Sequence, residues 1–177
     1  VTEDRIRHNV FPKAKRWAYL RQAKTMRVAS LNKDGSIYLS PIWYAVTGER
    51  LIMVVDSSRH GDNFKAGRAF SAVVDQGDDY RSLSGLTIVG EAKEVTDPAI
   101  VSVMPDLLFE KYFYVGHPHA ESYFEFGEWS GRRYFELVPT KMVGWDSREN
   151  THAQGRERHT FPRQLASRLY ERGGERG

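Results

Sequence analysis

Between Met26 and Val95 the chain runs as short apolar stretches separated by turn signals, and this spacing restricts the fold more than any other feature. Met26-Arg27-Val28-Ala29-Ser30-Leu31 is answered by Ser36-Ile37-Tyr38-Leu39-Ser40 across the turn Asn32-Lys33-Asp34-Gly35. Asp-Gly is a strong hairpin signal, because glycine accepts the positive φ that a tight turn demands. Thr47-Gly48-Glu49-Arg50 makes a second turn, leading into Leu51-Ile52-Met53-Val54-Val55-Asp56. Ala69 to Asp75 reads as a further buried strand, and Leu83 to Val95 as one long strand or a bent pair. Gly85 and Gly90 sit where a bulge or corner would bend it. Two more strands, Arg133 to Pro139 and Met142 to Trp145, close the set. The expected fold is mainly β with helical decorations, a small six-stranded antiparallel barrel.

Helices are expected in three places. Pro12 suits a first helical position, and Trp17, Leu20 and Lys24 follow at helical spacing, which gives a helix over roughly 12 to 24. Asp97 is a candidate N-cap before Pro98, and helical pattern continues to about Tyr114, broken or kinked at Pro105. A shorter helix is expected from Ala120 to Glu128. The chain divides into an N-terminal helical segment (1–25), a barrel (26–146) with a helical insert (97–129), and a polar tail (147–177) with a short helix. Phe109, Tyr112, Phe113, Tyr114, Tyr123 and Phe124 make the insert apolar, fit to cap a pocket for a flat or hydrophobic small molecule.

Composition removes several classes. At 177 residues the chain is expected to form one domain. It has no cysteine, which excludes disulfides, thiolate metal sites and cysteine nucleophiles. Basic residues crowd both ends (Lys13 to Lys24, Arg156 to Arg176) around a net charge of only +3, which reads as solvated charge and not a nucleic-acid surface. No apolar run approaches the ~18 residues of a membrane span, and the opening residues lack a secretory core, so cytoplasm is the default. His117-Pro118-His119 supplies two metal ligands at most, and no metal site is expected. The chain has no G-x-S-x-G elbow, G-x-G-x-x-G fingerprint or Walker lysine loop.

One polar segment interrupts the strands: Ser57-Ser58-Arg59-His60-Gly61-Asp62-Asn63-Phe64. A Ser/Arg/Asn cluster leading from a strand into a helical turn brings hydroxyls, a guanidinium and free backbone N–H groups to one anion. The alternatives are a solvated Arg59 and a turn-forming Asn63.

Taken in order, Val28 to Gly35, Ser40-Pro41-Ile42-Trp43-Tyr44, Ser58 to Phe64, Tyr80-Arg81-Ser82-Leu83, Val89-Gly90-Glu91-Ala92 and Arg133 to Asp146 resemble the pyridoxamine 5'-phosphate oxidase-like superfamily of split barrels. That resemblance implies a homodimer with cofactor sites at its interface, and FMN, or alternatively the deazaflavin F420, as cofactor. It implies that Arg59 contacts phosphate, with Ser58, His60 and Asn63 close by. Pro41, Ile42, Trp43 and Tyr44 would lie under the flavin ring, and Val54, Val55 and Asp56 would offer strand-end backbone. Tyr80, Arg81 and Leu83 would approach from the facing subunit or the barrel mouth. Trp43 and Tyr44 read equally as barrel packing. Tyr44, Tyr80 and His117 are candidate proton donors.

Two departures qualify the likeness. His60 stands where many relatives carry a phosphate-binding lysine, so it would serve only if protonated on binding, and His60→Lys would tighten FMN. Glu128 to Tyr134 lacks the arginine–histidine part of the substrate signature, so vitamin B6 oxidation is not expected. The implied activity is a flavin-dependent oxidoreductase acting on a planar or apolar small molecule. A flavin- or haem-binding storage protein of the same fold is the alternative.

Overall fold

A computed structural model describes residues 11–56, 59–67, 69–78, 82–127 and 132–149. The elements run α1 (Lys13–Gln22), β1 (Met26–Leu31), β2 (Ile37–Ile42), β3 (Tyr44–Thr47), β4 (Arg50–Asp56), α2 (Arg59–Lys65), β5 (Ala69–Gln76) and β6 (Ser84–Glu94). Then follow α3 (Pro98–Val101), α4 (Met104–Tyr112), α5 (Ala120–Gly127), β7 (Arg132–Asp146) and a 3-10 turn at Ser147–Glu149. The expected short helix of the tail falls outside the described residues.

Every strand pairing is antiparallel, in the order β2-β1-β5-β6-β7-β4-β3. The two edge strands are successive pieces of one segment, parted only at Trp43, whose carbonyl accepts a hydrogen bond from Val54 N–H. Counted as one bent strand they give the six expected, and the sheet curls into a split barrel. Both turns are as predicted, with Gly35 at φ 85° and Gly48 at φ 58°.

The last strands differ from expectation. β7 is one 15-residue strand, not two, because Pro139 sits at a bulge opposite Val89/Gly90. A proline has no N–H to lose there. A Cβ on Gly90 would collide with the Val138 carbonyl, so only glycine fits. Pro105 does mark the expected break, the helical run stopping after Val101 and resuming at Met104. It lies in the first turn of α4, while the preceding short helix α3 starts at the Asp97 cap, whose carboxylate accepts from Ala99 N–H.

Two apolar clusters flank the same sheet. Inside the barrel, Met26, Val28, Leu51, Met53, Val55, Phe70, Val74, Leu86, Ile88, Phe135 and Leu137 pack with Leu20 of α1 and Phe64 of α2. Outside it, Ala45, Ile52, Val54 and Tyr134 pack against Met104, Leu108 and Tyr123 of the insert. β4 is therefore covered on both faces, which explains its unbroken apolar run Leu51 to Val55. The outer face of β1–β2 is different. Leu31 pairs with Ile37 and Ala29 with Leu39, and Ile37 and Leu39 are 72% and 62% exposed. No helix among the described residues is long and apolar enough to cross a membrane.

Candidate functional site

The β1–β2 turn and α2 enclose a groove of about 720 Å³. Asn32, Lys33 and Asp34 line one side, and Arg59, Asp62, Asn63, Lys65 and Ala66 the other. Three cations thus face two carboxylates, and Lys65 also lies 3.7 Å from Glu94 outside the groove. Asp34 accepts from Ser36 N–H and Oγ, and these bonds hold its carboxyl below the ordinary carboxylate range. Arg59 is exposed, its guanidinium 5.4 Å from the Tyr38 ring centroid.

His60 is turned the other way. It is 0% exposed, and both ring nitrogens are bonded inside the protein: Nδ1 lies 2.7 Å from Ser30 Oγ and Nε2 2.9 Å from Ser40 Oγ. Asn63 Nδ2 donates to Ser30 Oγ (2.9 Å) and to Asn32 Oδ1 (3.0 Å). Ser30 Oγ thus bridges Asn63 and the imidazole, and Ser40 Oγ holds the other ring nitrogen. Tyr38 and Phe64 close over the ring at 4.6 and 5.7 Å. Burial pushes the imidazole down to about 4, so it is neutral near pH 7. The expectation of a protonated, phosphate-binding His60 is corrected by this geometry. Asn63 has both amide hydrogens committed, so it braces the groove and has no donor left for a ligand.

The other residues expected near a cofactor separate. Tyr44 is in the core: its hydroxyl donates to the Leu20 and Ala23 carbonyls, and burial drives its pKa up, which rules it out as the proton donor. Val55 belongs to the barrel interior and Val54 to the cluster under the insert, so neither side chain reaches the groove. Asp56 ends β4 opposite Arg132. Pro41 is exposed and Ile42 half-buried. Trp43, 40% exposed, stacks on Tyr112 at 4.4 Å with 6° between planes, and meets Phe113 and Tyr123. Leu83 is half-buried, its carbonyl accepting from Ser147 N–H. Ser58, Tyr80 and Arg81 lie outside the described residues. No described residue of the insert lines the groove: the insert packs at the Trp43 end of β2, and the groove lies at the opposite end, by the β1–β2 turn.

The sequence reading passed over Lys33, Lys65, Ser30, Ser40 and Arg133. Ser30 could have been found, because it continues the inward alternation Met26, Val28 and so places a polar group where apolar ones belong. Arg133 donates Nε to Glu94 (2.7 Å) and lies over Phe135. A Cβ on Gly61 would come 3.0 Å from its Nη1, so glycine lets the guanidinium lie against α2. Its Nη2 is buried with no hydrogen-bond partner among the described residues.

The family model for pyridoxamine 5'-phosphate oxidase matches residues 13–145. No curated protein matches the chain. Among solved structures, a conserved hypothetical protein, Rv2991, from Mycobacterium tuberculosis superposes with a TM-score of 0.71 at 20% identity, over 88% of this chain and 95% of that one. HutZ, the haem storage protein from Vibrio cholerae, does so with 0.60 at 14% identity, over 77% and 97%. An FAD-binding protein from Mesorhizobium loti gives 0.57 at 17%, over 76% and 93%. Identities this low speak for the fold alone, but the family match spans α1 to the end of β7, and so the chain belongs to the pyridoxamine 5'-phosphate oxidase family.

Proposed function

We propose that this protein is an oxidoreductase that binds FMN or the deazaflavin F420 without a covalent bond and acts on a small planar or apolar molecule. The observation that carries the reading is the groove beside α2, where Arg59, Lys33 and Lys65 outnumber the lining carboxylates Asp34 and Asp62 by one, with Lys65 also 3.7 Å from Glu94. The donor set fits the anionic end of a nucleotide cofactor: a guanidinium for paired oxygens and two flexible ammonium groups. Arg133 lies against Gly61 of α2, paired with Glu94, and is not among the described residues that line the groove. The bound ring would supply the hydride or electron-pair chemistry, so no catalytic side chain is required. The chain's own part is to hold the phosphate and to keep α2 fixed through the Ser30–His60–Ser40 network.

The assembly that suits this reading is a homodimer. Leu31, Ile37 and Leu39 leave an apolar surface uncovered at the β1–β2 edge, and Val89 and Val143 are exposed further across the same outer face, beyond Ser71. Monomeric proteins seldom carry such a patch without a partner. Leu39→Glu should convert a dimer to monomers in sedimentation analysis.

A second reading, a flavin- or haem-binding protein without turnover, is favoured by the inward His60, which removes one cation from the corner. HutZ, similar in fold, is a haem storage protein. Titration with FMN, riboflavin, F420 and haemin separates the readings. Preference for FMN over riboflavin, reduced by Arg59→Ala, supports the phosphate groove. Tight haemin binding with no flavin binding supports storage, and binding of none of them defeats both.

A further inference from the structure

A second pocket, of about 240 Å³, opens where α1, β3 and α4 meet. Ala45, Val46 and Leu107 give it an apolar wall, and Arg21, Glu110 and Lys111 bring charge. Lys111 is half-buried. Its Nζ donates 2.7 Å to the Leu20 carbonyl and lies 3.7 Å from the centroid of the buried Tyr44 ring. It forms no ion pair with a carboxylate among the described residues. An ammonium carries three hydrogens, and only one of these meets an oxygen. The other cation nearby is no help: Lys24 and Lys111 both approach the Tyr112 ring, at 5.7 and 6.0 Å. Burial, with Lys24 adding to it, pushes the amine down to about 7.

We propose that this pocket binds a small monocarboxylate with a short apolar tail, the carboxylate pairing with Lys111 and Arg21 and the tail lying on Ala45, Val46 and Leu107. The lining carries two positive groups and one negative, so a single anion balances it. The volume is below the usual range of about 300–1,000 Å³ for drug-sized ligands, which limits the tail to a few carbons. Arg21 already donates to the Gly48 carbonyl (2.8 Å), which holds its guanidinium at the rim. Glu110 opposes the ligand, but it is exposed and its field is screened by water. The Tyr44 and Tyr112 phenols, both pushed up by burial, stay neutral. Proton linkage follows. A bound carboxylate favours the charged amine and raises its pKa, so above about pH 7 binding draws a proton from solution, and well below that pH it does not. Lys111 and Tyr112 also tie α4 to α1 and β3, so occupancy stiffens the insert.

Calorimetric titration of the full chain with sodium butyrate tests the assignment, run at about pH 6 and about pH 8 in buffers of different ionisation enthalpy. Millimolar or tighter binding is expected, with most of a proton taken up at the higher pH and little at the lower. n-Butanol should bind at least about tenfold more weakly, and Lys111→Met should lose about the same factor for butyrate. Absence of saturable binding, equal binding of butanol, or no proton uptake at the higher pH overturns the proposal. The uptake is read on the native protein, so a misfolded variant does not blunt the test.

Discussion

Acidification should expose His60 as the hidden titratable group of the barrel. Its imidazole is fully buried, hydrogen-bonded at Nδ1 with Ser30 and at Nε2 with Ser40, and its pKa is held near 4 against an unfolded value near 6.5. Between those values the unfolded chain binds a proton and the folded one does not. The His60 contribution is therefore complete above about pH 6.5 and falls as the pH drops, with a slope approaching ~1.4 kcal/mol per pH unit and a total near 3 kcal/mol. Asp34, Glu94 and Asp146 also have lowered folded values, but their losses begin only below about pH 5, where the unfolded carboxylates start to take up protons. The window between about 5 and 6.5 belongs to the imidazole. Urea unfolding followed by tryptophan fluorescence at half-unit steps measures the slope in the native protein and in His60→Gln, whose amide can serve both serines. The variant should be flatter across that window. Equal slopes, or an NMR titration placing His60 near 6.5, would refute the buried-neutral assignment.

Other substitutions give separate readouts. Arg59→Ala should weaken FMN or inorganic phosphate binding by about 1.5–3 kcal/mol, the range for a charge-assisted hydrogen bond, and leave the melting temperature unchanged; unchanged affinity removes Arg59 from the site. His60→Lys should not tighten FMN. It buries an unpaired ammonium at a cost of about 3–5 kcal/mol, seen as a lowered urea midpoint. Tyr112→Phe strips the hydroxyl that accepts from Tyr44 N–H (2.9 Å) and donates to Tyr44 C=O (3.2 Å), costing about 1–2 kcal/mol in the same assay. Gly90→Ala forces a methyl into the Val138 carbonyl and should destabilise by about 1–3 kcal/mol.

The barrel was legible because its instructions are local. Asp34-Gly35 and Thr47-Gly48 mark turns by chemistry alone, and Met26-Val28-Ser30 keeps the period of a strand with one covered face. Direction within the polar corner was not legible. Arg59 and His60 are neighbours on α2, and a helix points successive side chains about 100° apart, so one lies in the groove and the other in the core. Only the position of Ser30 and Ser40 across the barrel decides which. The joining of β7 was hidden for a related reason. Pro139 looks like a strand breaker until its partner Gly90 is known, and the bulge pairing the two is a contact between distant positions. The site of the insert was equally remote. Its aromatics announced an apolar face, but nothing local says that this face covers β3, β4 and β7 and leaves the groove uncovered.

The two ends of β2 therefore solve different problems with the same kind of residue. At the turn end, polar side chains are drawn inward: Ser30, Ser40, His60 and Asn63 satisfy one another, which fixes α2 and leaves Arg59, Lys33 and Lys65, the last paired with Glu94, to face outward. At the Trp43 end, where the chain leaves one edge of the sheet for the other, Tyr112 lends its hydroxyl to the backbone of Tyr44 and its ring to Trp43. That contact caps an edge strand which would otherwise present unpaired groups. A buried polar network is costly unless every member is paired. Here the pairing is complete, and its effect is to separate the groups that hold the corner rigid from those that can meet an anion. Removing a cation from the outward set should change ligand affinity with little loss of stability. Removing a member of the inward set should do the reverse.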